Sequence, residues 1–206
     1  MEDVLEVYKL PYNEKRPVAC LDGASRQLIE ETRTPRPVRP GQAALYDYEY
    51  ARNGAANLFM MSGPLAKRRQ AAATRRRTRE GFARCLRDLA ETQYPDAEKI
   101  ILVMDNLNTR SPASLYAAFE PETAGRLCER FEIHYTPKHG SRLNMAERET
   151  GVMSRQCLGR RIAAVEETAA EAQSWAAQRN KEKNTVRWQF TAADARIKLR
   201  HLYPRI

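Results

Sequence analysis

No stretch of this 206-residue chain approaches the roughly 18 uninterrupted apolar residues that a membrane-spanning helix requires. The first residues, Met1-Glu2-Asp3-Val4-Leu5-Glu6, are acidic and hold no apolar core, which argues against a secretory signal there. A soluble, cytoplasmic protein with no membrane partner is expected. Cysteine is sparse: Cys20, Cys85, Cys128 and Cys157 lie far apart with no Cys-x-x-Cys pair. That argues against a structural zinc site or a dense disulfide framework, and for reduced, buried thiols. Histidine is sparser still. His134, His139 and His201 lack any ligand spacing such as His-Glu-x-x-His and are expected to be structural. Eleven prolines and nine glycines are too few for a disordered or collagen-like chain.

Positive charge is plentiful, and its placement is uneven. The net charge is +9, made up of −1 over residues 1–66, +7 over 67–79, −3 over 80–150 and +6 over 151–206. A charge serving only solubility would not segregate in this way. Two basic segments around a mildly acidic middle point to a polyanionic partner, with a solvated basic face as the alternative.

The hydrophobic pattern predicts strands first and strand–helix alternation later. Residues 16–22 form a short apolar run ending in Asp22. Thr32 to Gly41, with Pro35, Pro37 and Pro40, reads as an exposed extended loop. Strands are expected over 43–50 and 57–61, with Asn53-Gly54 as a hairpin turn between them. Residues 67–78 read equally as a third strand or a basic loop. Helical spacing returns over 79–93, and Ile100 to Met104 is a continuous apolar run closed by Asp105. A helical region over 114–130 with a break near Pro121 follows, then a strand over 131–136. Helices are predicted over 144–162, 163–180 and 192–202, the last capped by Thr191. This order specifies an α/β domain on a mixed sheet, whose ligands lie beyond the carboxyl ends of the strands.

Three acids fit that location: Asp22 and Asp105 end apolar strands, and Glu147 falls in the first turn of a helix. Converged, they would repel one another unless hard divalent cations, Mg²⁺ or Mn²⁺, neutralised them. Two such ions suit in-line phosphoryl displacement, and the basic segments suit a nucleic-acid backbone. Taken singly, each acid reads equally well as a turn former or helix cap.

Several segments together resemble the mariner-related insertion-sequence transposases of the DDE type. They are Cys20-Leu21-Asp22, the stretch from Asp47 to Gly54, Asp105-Asn106-Leu107-Asn108-Thr109, and His134 through Leu143-Asn144-Met145-Ala146-Glu147. The tail, Arg179-Asn180, Trp188-Gln189-Phe190-Thr191 and Asp194-Ala195-Arg196, matches as well. The resemblance implies a ribonuclease H-like mixed sheet flanked by helices. Residues 1–162 would be the DDE catalytic domain and 163–206 a basic helical C-terminal extension packed on it. By position, Asp22, Asp105 and Glu147 would be the catalytic ligands of two Mg²⁺ or Mn²⁺ ions, with Asn106 and Asn144 orienting them. Glu149 competes for the third place, although helical geometry sets it about 200° from Glu147. The implied activity is DNA cleavage and strand transfer of an insertion sequence. Implied partners are transposon-end and target DNA, a second copy in a homodimer, and a separately encoded N-terminal helix-turn-helix region.

DNA backbone contacts are expected from Lys67, Arg68, Arg69, Arg75, Arg76, Arg77, Lys138 and Arg142. Trp175 and Trp188 are expected to pack the carboxy-terminal helices rather than stack on bases. Three positions depart from the family pattern: Gly23 where a glutamate is usual, Arg110 for a histidine, and Arg142 for a tryptophan. An inactive remnant that only binds DNA is therefore the alternative. A ribonuclease H-like nuclease acting on RNA fits the acids but not the tail.

Overall fold

The computed structural model describes residues 1–106, 111–138, 140–183, 185 and 188–203. The apolar run predicted above is β4 (Ile100–Asp105), an inner strand of a five-stranded sheet, its first five residues buried, as expected of a strand covered on both faces. The sheet order is β3 (Arg68–Thr74), β2 (Tyr50–Gly63), β1 (Val18–Glu31), β4 and β5 (Phe131–Thr136). β1 runs parallel to β4, and β4 to β5, whereas β1–β2 and β2–β3 are antiparallel.

Strand alternation divides the core in two. Ala19, Leu21, Leu102, Met104, Phe59 and Met61 face α2 (Arg79–Asp88), α3 (Ala113–Ala118) and α4 (Pro121–Glu129). Cys20, Val103, Ile101 and Met60 face α1 (Glu2–Val7), α5 (Met145–Gln156), α6 (Val165–Lys181) and α7 (Ala192–Lys198). Pro121 begins α4, so the helical region breaks where proline demands it. Thr191 caps α7 through a reciprocal box with Asp194. All four cysteines are free, with Cys20 and Cys85 buried. Among the described residues no helix is long and apolar enough to cross a membrane.

Several expectations need correction. β1 does not stop at Asp22; it continues to Glu31, paired with β2 alone once β4 has ended. Asn53-Gly54 is not a turn, because β2 runs through it. Gln27 pairs with Ala55 and Ile29 with Arg52, so Asn53 and Gly54 together oppose Leu28 in a β-bulge. Gly54 takes φ +83°, which such a bulge assigns to glycine. The strand expected over 43–50 shrinks to a bridge at Leu45 within the proline-rich loop, whose tip turns at Pro40-Gly41 with Gly41 at φ +76°. Residues 68–74 form a true strand on the sheet edge. α5 ends at Gln156 rather than near 162, because the following chain peels away onto β1. There Ile29 N donates to Ile162 O, and Arg26 donates to the carbonyls of Leu158 and Arg160. The N-terminal segment, read above only as a non-signal, is a helix whose Val4, Leu5 and Val7 are buried.

Candidate active site

The parallel register aligns the first two acids. Leu21 lies opposite Met104, so one step further Asp22 and Asp105 occupy neighbouring positions where β4 ends. Alternation places both on the face of Cys20 and Val103, the side covered by α5, and both are half-buried.

The third acid reaches this end through a polar tether. Asn144 is 1% exposed and caps α5: its Oδ1 accepts from Ala146 N (3.0 Å), and its Nδ2 donates to Leu21 O (3.0 Å). The first turn of α5, which carries half-buried Glu147, is thus fastened to β1 one residue before Asp22. Asn144 was expected to orient carboxylates; in the structure it grips backbone on both sides. Tyr8 secures the same junction. Its hydroxyl donates to Leu143 O (2.8 Å), accepts from Met145 N (3.4 Å) and lies 3.5 Å from Cys20 Sγ. Burial raises the Tyr8 phenol and pushes the Cys20 thiol up to about 11, which leaves both neutral and structural. The acids share one end of the sheet without closing into a ligand set: among the described residues, no three His, Cys, Asp or Glu side chains stand close enough to hold a metal ion.

Glu149 has different surroundings. Its carboxylate is clamped by Arg69, with Nε at 2.9 Å and Nη2 at 3.0 Å, and approached by Arg179 Nη2 at 3.5 Å. The side chains of Arg69 and Glu149 are 1% and 5% exposed. Arg69 therefore does not face DNA as expected; its guanidinium is enclosed on an acid 80 residues away. Next to Arg179, the Asn180 side-chain amide clasps the Arg69 backbone from the open side of β3, accepting from Arg69 N (2.8 Å) and donating to Arg69 O (2.9 Å). The cluster was invisible in the sequence. Its single clue was the two-residue spacing of Glu147 and Glu149, which cannot present both to one site.

The remaining basic residues divide between the two ends of the sheet. Arg75, Arg76 and Arg77 follow β3 and Lys138 and Arg142 follow β5, at the end where β4 delivers Asp105, and all five are exposed. Arg75 is paired with Glu166 at 2.8 Å. Lys67 and Arg68 lie at the opposite end of β3, and Arg68 donates to Gln93 O. Asn106 is exposed directly after Asp105, and Gly23 follows Asp22 within β1. Arg110, His139 and the Leu107-Asn108-Thr109 part of the motif lie outside the described residues. His134 Nδ1 meets Asp3 Oδ2 at 2.7 Å, and His201 is exposed on a terminal turn. Trp175 Nε1 donates to Gln156 Oε1 (2.7 Å), and Trp188 packs on Tyr8 with ring centroids 4.9 Å apart, so both tryptophans serve packing.

A three-stranded parallel unit extended by an antiparallel pair, with helices on both faces, is a ribonuclease H-like architecture. The family model of the DDE superfamily endonucleases matches residues 17–169, and the chain belongs to that family. Its fold is similar to that of the Mos1 strand transfer complex, with TM-score 0.56, 14% identity, and coverage of 84% of this chain and 50% of that one. The Mos1 mariner paired end complex with Mn gives TM-score 0.54 and 15% identity, covering 87% and 53%. A pre-cleavage Mos1 transpososome gives 0.54 and 12%, covering 87% and 58%. The chain thus spans little more than half the length of these solved chains. No curated protein matches it with significance.

Proposed function

We propose that this chain is the catalytic domain of an insertion-sequence transposase, which cleaves DNA at element ends and joins the freed 3′-hydroxyl to target DNA. The observation that carries this reading is the register that sets Asp22 beside Asp105 at the strand ends, with the first turn of α5 fastened there by Asn144. Asp22, Asp105 and Glu147 offer only carboxylate oxygen, the donor type that suits Mg²⁺ or Mn²⁺. Two such ions, when bound, stabilise charge on the attacking and leaving oxygens of a phosphoryl displacement. In this reading the sheet supplies two ligands on a rigid frame, and the first turn of α5 brings the third to the same end. The exposed Arg76, Arg77, Lys138 and Arg142 flank the acids and position the DNA backbone, while Asn106 helps to orient Asp105. Residues 1–162 form the catalytic domain, and 163–206 are an extension whose α6 covers β3. The family membership and the likeness to transposase complexes, one of them containing Mn, support DNA and a divalent ion for this chain. A second copy and a separately supplied helix-turn-helix region complete the assembly.

The test is nicking of an element-end duplex in Mg²⁺ or Mn²⁺, with the DNA-reading region supplied. Asp105→Asn is expected to lower the rate by about a thousandfold or more, since metal stabilisation of transition-state charge is worth several kcal/mol. Retained cleavage overturns the assignment. A DNA-binding remnant is the second reading, favoured by the acids' failure to close into a ligand set. Full DNA binding by the parent protein without any metal-dependent cleavage would establish it.

A further inference from the structure

Of the ten large apolar side chains exposed among the described residues, five lie between Val38 and Tyr50, on the arm that joins β1 to β2. Tyr46 and Tyr48 are 67% and 84% exposed. Exposed apolar surface gathered in one place marks a surface that binds something. The arm is also braced. Antiparallel bridges pair Arg36 with Leu45 and Arg39 with Gln42. Below them Arg33 Nε meets Asp47 Oδ2 at 3.2 Å, and Thr32 Oγ1 donates to Glu49 O (3.3 Å). At the root Arg161 donates to Glu31 Oε2 (2.6 Å) and Glu49 O (3.1 Å) and lies over the Tyr50 ring at 5.3 Å. Asn53 Nδ2 donates to Ala163 O (2.9 Å) beside it. Side chains held out on a braced arm lose little further freedom when they bind.

The chemistry of the arm selects the partner. Thr32 to Tyr46 contains Arg33, Arg36 and Arg39 and no acid. Arg36, Arg39 and Gln42 line a cavity of about 400 Å³, none of whose lining residues is acidic. Guanidinium donors without a counter-charge suit phosphate oxygens, and exposed aromatic rings suit bases that have left the stack. A second copy fits less well, because the arm is positive and the whole chain carries +9. Position agrees with a nucleic acid. β1 runs nine residues past Asp22 before the arm begins, at most about 30 Å at 3.3 Å per residue. The arm therefore leaves from the end of the sheet that holds Asp22 and Asp105, and DNA lying at that end would meet it within about nine base pairs.

We propose that residues 32–50 form a further DNA-binding element that takes single-stranded DNA, with Tyr46 and Tyr48 stacking on unpaired bases and Arg36 and Arg39 holding phosphates. This rests on the reading of DNA as the partner given above, and not on the three acids or a metal. The test measures binding of a fluorescein-labelled oligothymidine, and of a duplex of the same length, to the full chain, with melting and sedimentation in parallel. Tyr46→Ala with Tyr48→Ala is expected to weaken the single-strand complex by about fivefold or more for each ring lost, and to leave the duplex complex unchanged. Tyr46→Phe with Tyr48→Phe keeps the rings and should keep the affinity. Arg36→Ala with Arg39→Ala should lower the salt slope of single-strand binding by roughly 1.4 units on a log–log plot. Arg126→Ala, which breaks an exposed pair on α4, should change neither quantity. Should the alanine pair not fold, Tyr48→Ala alone, at the most exposed ring, is judged by the same outcomes. Single-strand affinity within about twofold of the parent overturns the proposal. If the tyrosine variant alters only the sedimentation of the free protein, the arm belongs to a second copy and the proposal falls. A parent that binds duplex but not oligothymidine overturns the role of the arm and leaves the DNA reading standing. A parent that binds neither overturns both.

Discussion

The two faces of the sheet are built by different physics. Against α2, α3 and α4 the contact is almost wholly apolar, with Phe59, Phe82, Leu86, Leu102 and Met104 all fully buried. The other face also has an apolar floor, but its helices are located by directional polar contacts: Asn144 on Leu21, Tyr8 on Leu143, Glu149 on Arg69 and Trp175 on Gln156. Dispersion and the hydrophobic effect hold a helix down without saying much about its rotation or its shift along the axis. Hydrogen bonds and ion pairs specify both. Asp22 and Asp105 lie on that polar face of the sheet and Glu147 on the helix that covers it, so the directional interactions fall on the side that carries the candidate acids.

That contrast can be broken or sharpened by experiment. Phe82→Ala, on the apolar face, should cost about 3–5 kcal/mol of global stability, read from denaturant unfolding, and leave nicking per folded molecule unchanged. A loss of rate in the folded fraction would show that the apolar face also positions the acids. Asn144→Ala should cost less, about 2 kcal/mol from the lost cap and the orphaned Leu21 carbonyl, yet lower the rate in the folded protein. An unchanged rate would reduce Asn144 to a cap.

The thiols compare the faces by titration. Burial pushes Cys20, on the polar face, up to about 11 and Cys85, on the apolar face, up to about 12. A thiol raised on folding stabilises the protein below its unfolded pKa, about 8.5, and that contribution is lost as the pH climbs towards the folded value. Melting temperature should therefore fall from pH 9 to 11, and Cys20→Ala and Cys85→Ala should each flatten the slope. A slope unaltered by either substitution would assign the alkaline loss elsewhere. The smallest effect on stability is expected for Arg76→Ala with Arg77→Ala, at the exposed end of β3. Melting should not move, while the salt dependence of DNA binding should lose roughly two units of slope on a log–log plot.

Sequence reasoning reached the elements whose signal is local. β4 is a short apolar run closed by an acid and β5 a short strand stopped by a proline, and the break at Pro121 and the cap at Thr191 follow from single residues. Asp22 and Asp105 were readable for the same reason. Elements defined by distant partners were not. The second half of β1 is polar and becomes a strand only because β2 lies alongside it. Asn53-Gly54 has hairpin chemistry, but long-range register converts its positive φ into a bulge, while the actual reversal occurs in the proline-rich loop. Arg69 looked like part of a basic patch because nothing near it in the chain signals Glu149. In the structure strand alternation turns this arginine inward, on the same side as Ala71, which is buried two residues on.

The grip of Asn180 on Arg69 has an effect beyond the interior of the molecule. β3 is the last strand on its side, and an outermost strand ordinarily offers spare peptide groups to any passing chain. Here a carboxamide imitates one peptide unit, occupying the amide and the carbonyl of Arg69 as a further strand would. The peptide groups of Arg69 are thereby taken up and not offered for sheet growth at that position.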